Sequence, residues 1–350
     1  KSCPRYQAKG PESQRFRAFS LPPAGLQIIS RVGYRPRLKL SCSQPVLRRG
    51  TVPPGVAARV LFWQGAPVPE ATASPVNLLA CQVAVPRMAT AVERDAHVAA
   101  AINRIRASLD SGPVDLVVLP ELSSIDYSRA SFECLDGLAE PLDGPTAEAF
   151  GALAAEIGAA VLFGIARRSG DRFHITQVVL GPDGQYLTHY DKLHLANFGL
   201  STESEFFSAG GHLATFEAAG LRFAPIICYD IRFPELARTL VADHGADAIL
   251  HCGAYGRDES FPTWHAFVTT RAMENHVPVL SLSRAGSTFG GSIHCPPWVD
   301  DDHPPVLFPD HDEAFIRIEV DTAETTAARQ RYGFLRDRLP SYVDLDRHGA

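Results

Sequence analysis

From residue 76 onward, short apolar runs alternate with stretches of helical periodicity. Apolar residues that recur at every second position indicate strands, and those that recur at every third or fourth position indicate helices. The predicted strands cover 77–85, 115–119, 159–165, 176–180, 185–190, 223–227, 247–252, 277–283 and 315–320. The predicted helices cover 91–109, 145–157, 261–274 and 323–330, and a further helix begins at Pro234. Strands separated by helices predict an α/β domain, and a Pro-Asp-Gly turn at 182–184 adds a hairpin, so the sheet is expected to be mixed.

Three of the apolar runs end next to a reactive side chain. Leu-Pro-Glu at 119–121 presents Glu121, Tyr-Asp-Lys at 190–192 presents Lys192, and Ile-Cys at 227–228 presents Cys228. Because the clefts of α/β sheets lie at strand ends, these side chains are expected at one rim. A base, a cation and a thiol at one place can cleave an amide.

Each of the three residue types suits one chemical role. Cys228 is the candidate nucleophile, since a thiol becomes reactive beside a base, a cation or a helix N-terminus. Asp230 is predicted to cap a helix that starts at Pro234 and directs its positive end toward the thiol. Glu121 is the candidate base and Lys192 the candidate oxyanion stabiliser. The structural alternatives are a small buried cysteine, a solvated glutamate and an exposed lysine.

The segments Leu-Pro-Glu121, Tyr-Asp-Lys192-Leu-His-Leu and Cys228-Tyr-Asp-Ile-Arg-Phe-Pro-Glu, in this order, resemble the signature blocks of the nitrilase, or carbon-nitrogen hydrolase, superfamily. Segments 181–184, 270–275 and 334–338 extend the resemblance. It implies a four-layer αββα sandwich, with two mixed sheets between helix layers, over residues 75–345. It also implies a homo-oligomer, a dimer or larger, and hydrolysis without a cofactor.

The resemblance further implies a mechanism for small amides. Cys228 attacks the amide carbon, Lys192 and the backbone amide of Tyr229 hold the oxyanion, and Glu121 moves the proton that lets ammonia or an amine leave. Water activated by Glu121 then cleaves the thioester. A nitrilase or an N-carbamoyl amidohydrolase is the alternative within the family. A catalytically silent scaffold or binding protein that keeps the fold is the alternative of another class.

Two positions depart from the pattern of the family. Arg167 and Ile175 stand where many members have a Glu and an Asn. A guanidinium near Lys192 would disfavour the protonated lysine. Glu203 is the first candidate to supply the missing acid, with Glu205 and Glu274 as further candidates.

The substrate pocket is predicted from four residues. Tyr229 and Arg232 follow the nucleophile in a pattern that resembles amidases of carboxylate-bearing, ω-amide-like substrates. Arg232 could bind a substrate carboxylate through two hydrogen bonds, or form an ion pair with an acid such as Glu235. Tyr127 and Tyr255 are candidate pocket walls, with core packing as their structural alternative.

Residues 1–74 differ from the rest of the chain in charge. They contain twelve Lys or Arg and two acids, whereas the whole chain has a net charge of −6. This basic segment, rich in Pro and Ser, is predicted to be a poorly ordered extension or, alternatively, an organelle transit peptide. The acidic body argues against nucleic acid as a partner, and no apolar run is long enough to span a membrane.

The cysteines and histidines also limit the function. Seven scattered cysteines do not form the pattern of a disulfide framework, which predicts a reducing, cytoplasmic location. The 13 histidines lack the spacing of zinc motifs, and the acids at 300–302 and 310–312 predict solvated loops. No metal site is expected.

Overall fold

The computed structural model describes residues 75–349 except positions 200, 340, 344 and 347, so the predicted extension 1–74 lies outside the described residues. The strands are β1 Val76–Gln82, β2 Leu116–Val118, β3 Ala160–Ser169, β4 Arg172–Leu180, β5 Tyr186–Asp191, β6 Phe216–Ala218, β7 Leu221–Ile227, β8 Ala248–Cys252, β9 Val279–Leu282, β10 Ile293–Cys295, β11 Val306–Leu307 and β12 Ala314–Val320. The α-helices are α1 Ala91–Ser108, α2 Arg129–Phe132, α3 Leu135–Leu138, α4 Pro145–Ile157, α5 Pro234–Ala242, α6 Trp264–Asn275, α7 Thr322–Arg331 and α8 Phe334–Asp337. Short 3₁₀ turns cover Leu109–Ser111, Glu203–Glu205, Cys228–Arg232 and Phe261–Thr263.

The strands form two six-stranded sheets. The first sheet has the order β12-β1-β2-β3-β4-β5 and the second the order β11-β10-β9-β8-β7-β6. The central strands of each sheet run parallel, and the outer strands pair antiparallel. Both sheets are therefore mixed, as the sequence predicts.

Alternate residues along each strand enter different cores, and this alternation creates the layers. Leu78 faces the other sheet and packs in one cluster with Leu250, whereas Leu79 points the opposite way and packs with Phe150 of α4. The outer face of the second sheet packs on α5 and α6 in the same manner. The predicted four-layer αββα sandwich is confirmed. No described helix is both long and apolar enough to cross a bilayer.

Strands β3 and β4 are longer than the sequence predicts. Both strands continue past the predicted limits and meet at a turn with Gly170 at φ +59°. The prediction ended at residue 165 and resumed at 176 because three arginines in this stretch, Arg167, Arg168 and Arg172, interrupt its apolar pattern.

Gly164 on β3 lets the segment that carries Glu121 approach closely. A Cβ atom at Gly164 would lie 2.4 Å from the Leu122 nitrogen and 2.7 Å from the Pro120 carbonyl oxygen. The Gly164 N–H also donates to the Ser123 hydroxyl at 2.9 Å. Glu121 is thus held against β3 by main-chain contacts that only glycine permits.

We expect Gly164→Ala to lower the free energy of unfolding by about 2 kcal/mol or more, because main-chain atoms must move to admit the methyl group. Gly137→Ala in α3 is the control, since a Cβ there meets nothing within 4 Å. Urea denaturation measures both variants. Equal stability of the two would contradict the proposed contact.

Candidate active site

The three predicted reactive residues come from both sheets and meet in one cluster. Glu121 lies beyond the end of β2, Lys192 follows β5, and Cys228 follows β7. Glu121 and Lys192 are fully buried, and Cys228 is 9% exposed. Glu121 and Lys192 each shift the pKa of the other and of Cys228, and Cys228 raises the pKa of Lys192, so the three share one electrostatic environment.

The ammonium of Lys192 lies between two buried carboxylates. Its Nζ donates to Glu121 Oε1 at 2.8 Å and to Glu203 Oε1 at 2.7 Å. The second oxygen of Glu121 accepts from the Ala254 N–H at 2.8 Å, and that of Glu203 accepts from the Ala196 N–H at 2.8 Å. Both carboxylates are thus oriented by the backbone, and Glu203, the first candidate for the missing acid, lies in contact with Lys192.

Burial is the main cause of the altered pKa values. It raises the pKa of Glu121 to about 7, although the Lys192 ammonium opposes this change. It also raises the pKa of the Cys228 thiol well above its usual value, with the charge of Glu121 as a further cause. Burial alone would lower the pKa of Lys192, but the acidic groups of Cys228, Glu121 and Glu203 raise it well above its usual value. Near neutral pH, Glu121 can therefore both accept and return a proton while Lys192 stays charged.

Cys228 has an uncommon backbone conformation at the start of a tight 3₁₀ turn. Its φ is +47°, in the left-handed region that non-glycine residues seldom adopt. The Asp230 carboxylate fastens this turn, because it accepts from the Ile227 N–H at 3.0 Å and from the Tyr190 hydroxyl at 2.8 Å. The prediction that Asp230 caps the next helix is wrong. Helix α5 begins at Pro234 after Phe233, without a side-chain cap, and Asp230 instead holds the nucleophile turn.

The predicted pocket residues have different surroundings. Arg232 lies over the rings of Phe198 and Phe267, at 5.6 and 4.9 Å from their centroids. Among the described residues its guanidinium forms no ion pair within 4.0 Å, so the predicted pair with Glu235 is not formed. Tyr229 contacts the ring of Phe198, which brings it beside Arg232.

The hydroxyls of the other two predicted pocket residues are bound within the protein. The Tyr127 hydroxyl donates to Glu203 and contacts Ser201 at 3.0 Å. The Tyr255 hydroxyl donates to the Cys228 carbonyl oxygen at 2.8 Å. Both tyrosines therefore support groups of the site, and their predicted contact with substrate stays a prediction.

Sequence reasoning missed His251, which lies directly behind the nucleophile. It is fully buried on β8, and its Nε2 lies 2.9 Å from the Cys228 carbonyl oxygen. The available signal was weak, because it consisted of one polar residue within an apolar run of five.

The comparisons with known proteins point to one family. The family model of the carbon-nitrogen hydrolases matches residues 80–302. The chain is 31% identical over 235 residues to an (R)-stereoselective amidase of a Pseudomonas species, with 65% of this chain and 81% of the relative covered. It is 31% identical over 229 residues to the 2-oxoglutaramate amidase of Bacillus subtilis, with 63% and 83% covered. The crystal structure of Saccharomyces cerevisiae Nit3, a member of branch 10 of the nitrilase superfamily, matches with a TM-score of 0.63 and 25% identity, over 73% of this chain and 94% of Nit3.

Arg167, which departs from the family pattern, does not lie against Lys192. Its guanidinium donates to both oxygens of Asp191, at 3.0 and 2.5 Å. Side chains alternate along β5, so Asp191 and Lys192 point to opposite faces of the first sheet. Ile175 is buried in the core cluster that contains Cys228, where an apolar side chain fits. Arg167 is therefore paired with Asp191, and its charge does not face Lys192.

Asp191 also belongs to a group of residues with the composition of a metal site. Its ligand atoms and those of His189 and His212 lie within 4.8 Å of one another. Because Arg167 occupies both carboxylate oxygens, we interpret this group as an ion-pair cluster at the sheet edge.

We expect Arg167→Met to lower the free energy of unfolding by about 3 kcal/mol, because Asp191 would lose a largely buried partner. The alkylation rate of Cys228 with iodoacetamide is expected to stay within roughly two-fold, since the pair faces away from the site. Arg106→Met is the control, because Arg106 and Glu156 form an exposed pair and its loss costs about 1 kcal/mol or less. A large change in alkylation of Arg167→Met would show that the two faces are coupled.

Proposed function

The chain belongs to the carbon-nitrogen hydrolase family, in the amidase-like branch of the nitrilase superfamily, and we propose that Glu121, Lys192 and Cys228 carry out its hydrolysis of small amides. The proposal is carried by one observation, the buried contact of the Lys192 ammonium with Glu121 and Glu203 beside a cysteine. A cysteine that is buried only for packing would not need such charged neighbours.

In the proposed reaction, Glu121 accepts the thiol proton as the Cys228 sulfur attacks the amide carbon. The oxyanion that forms is stabilised by the Lys192 ammonium and by the Tyr229 N–H. Glu121 then returns the proton to the nitrogen, and ammonia or an amine leaves as the carbon-nitrogen bond breaks. A water molecule transfers its proton to Glu121 and attacks the thioester, which releases the carboxylic acid and restores the thiol.

Glu203 is proposed to keep Lys192 charged and in place. Two carboxylates near one ammonium give the group an excess of negative charge, which favours the protonated lysine throughout the cycle. Tyr127 helps to hold Glu203 in place, because its hydroxyl donates to the same Glu203 oxygen that accepts from Lys192.

The substrate is proposed to be a small amide that also carries a carboxylate. Arg232 supports this proposal, because it lies in the turn that begins with the nucleophile and forms no ion pair with a described acid. A guanidinium binds a carboxylate with two parallel hydrogen bonds. The 2-oxoglutaramate amidase to which the chain is similar has, by its name, a substrate of this kind.

Two features outside the site also remain proposals. We propose a homo-oligomer from the family resemblance, and size-exclusion chromatography with light scattering tests it. The cytoplasm is the proposed location, with an organelle as the alternative if residues 1–74 act as a transit segment.

We expect Cys228→Ala to reduce kcat for ammonia release about 10⁴-fold or more, because no other group can form the thioester. Cys252→Ala is the matched control, since Cys252 is likewise a buried cysteine and lies at the end of the neighbouring strand. The assay panel contains ω-amides, aliphatic amides, N-carbamoyl compounds and nitriles. Turnover of the last two classes alone would favour the alternative activities. Absence of turnover, with no selective alkylation of Cys228, would favour the silent scaffold.

We expect Arg232→Met to reduce kcat/KM for carboxylate-bearing amides by about 10- to 100-fold, because the charged partner of the substrate is lost. Neutral aliphatic amides serve as the internal control and are expected to change by less than about three-fold. Arg232→Lys should restore only part of the preference, since an ammonium cannot form the paired hydrogen bonds. An equal loss for charged and neutral amides would contradict the assignment.

A further inference from the structure

The peptide bond between Cys228 and Tyr229 is held by two buried side chains. The Cys228 carbonyl oxygen accepts from the Tyr255 hydroxyl at 2.8 Å, and His251 Nε2 lies 2.9 Å from the same oxygen. His251 is fully buried and Tyr255 is 5% exposed. Since Cys228 has the unfavourable φ of +47°, its conformation needs stabilising contacts of this kind.

The position of the proton on His251 follows from its partners. A carbonyl oxygen can only accept, so Nε2 must carry the proton and donate it to Cys228. Nδ1 then accepts from the Ser281 hydroxyl at 2.7 Å, and the Ser281 oxygen accepts from Trp264 Nε1 at 2.8 Å. In this donor chain each group donates to the next, from Trp264 to Ser281, from Ser281 to His251 and from His251 to the Cys228 carbonyl oxygen. Burial lowers the pKa of His251 to about 4, so the ring is neutral near pH 7.

The same peptide group carries the N–H of Tyr229. In a planar trans peptide the carbonyl and the N–H point in opposite directions, so fixing one fixes the other. Two hydrogen bonds on the carbonyl oxygen also polarise the peptide and strengthen its N–H as a donor. Rotation of this peptide would break both hydrogen bonds in a region without solvent.

We propose that neutral His251, aligned by Ser281 and Trp264 and assisted by Tyr255, is a positioning residue that directs the Tyr229 N–H toward the oxyanion. This inference rests on the proposed function, in which that N–H stabilises the tetrahedral intermediate. Strand β8 and the residues after it would then support two groups of the site. His251 orients the nucleophile peptide, and the Ala254 N–H orients Glu121. His251 acts on the reaction only through the backbone of the nucleophile.

The test compares His251→Leu with His251→Gln, because the glutamine amide can place an N–H near the position of Nε2. His251→Leu is expected to lower kcat about 10- to 100-fold with KM changed less than about three-fold, since an oxyanion donor acts in the transition state. His251→Gln should recover most of this loss. Tyr255→Phe, which keeps the ring stacked on Trp264, should lower kcat about 3- to 10-fold.

His294→Leu is the matched control. His294 is also a buried histidine of the second sheet with a pKa lowered to about 4, and its Nε2 has no hydrogen-bond partner among the described residues. We expect His294→Leu to shift Tm about as much as His251→Leu does and to leave kcat unchanged. This result would separate the positioning effect of His251 from the general cost of altering a buried histidine. Should His251→Leu fail to fold, Ser281→Ala tests the same donor chain and should also lower kcat.

Alkylation of Cys228 by iodoacetamide supplies the readout that a merely structural role would not produce. This displacement forms no oxyanion, so its rate in His251→Leu should stay within about three-fold of the original protein while turnover collapses. Equal losses of alkylation and turnover would overturn the proposal, because they would mean that the nucleophile itself is misplaced. Unchanged turnover in a folded His251→Leu would also overturn it.

The proton on His251 can be measured without turnover, which keeps this inference separate from the proposed function. The ¹⁵N shifts of the histidine rings should show that Nε2 of His251 is protonated and Nδ1 is unprotonated from pH 6 to 8. The His251→Gln variant identifies the signals of this ring. A charged ring or a proton on Nδ1 would refute the donor chain. If the original protein hydrolyses no amide while this pattern is found, the proposed function fails and the donor chain still holds.

Discussion

The site depends on one interaction, the Lys192 ammonium held between Glu121 and Glu203 without solvent contact. A buried ammonium without a counter-charge would release its proton, and two buried carboxylates without a cation would repel each other. Each charge is therefore tolerated only because the others are present. The reactive group is stable as a set, and removal of one member leaves an uncompensated charge in the core.

The set can form only where the two sheets meet. Glu121 and Lys192 extend from the first sheet, whereas Cys228 extends from the second. The Ala254 N–H that orients Glu121 also comes from the second sheet's side of the sandwich, just beyond β8. Packing of the sheets and assembly of the candidate site are consequently one event. A protein that folded only one sheet would have neither the base in place nor the nucleophile near it.

The sequence predicted the ends of strands better than the contacts between distant side chains. Glu121, Lys192 and Cys228 could be found because each lies next to the end of an apolar run. The role of Asp230 could not, because a cap and a fastened 3₁₀ turn have the same local sequence. His251 could not be found either, since a lone polar residue in a strand reveals no partner until the neighbouring strand is positioned.

The surroundings of Arg167 show how an element boundary limits such predictions. The strand was expected to end at residue 165, so the residue at 167 had no assigned face. Once β3 is known to reach Ser169, alternation places Arg167 on the same side as Ile165, which packs against the helix layer. The distance from Lys192 then follows directly.

The opposite orientations of Asp191 and Lys192 give β5 a safeguard against mispairing. Among the described strands, β5 lies at the edge of its sheet with β4 as its one neighbour, so apolar burial specifies its alignment weakly. Sliding it by a single residue would turn Asp191 toward Glu121 and Glu203, and would turn Lys192 toward Arg167. Both changes bring like charges together, so electrostatic repulsion disfavours the shifted register of β5 on β4 during folding.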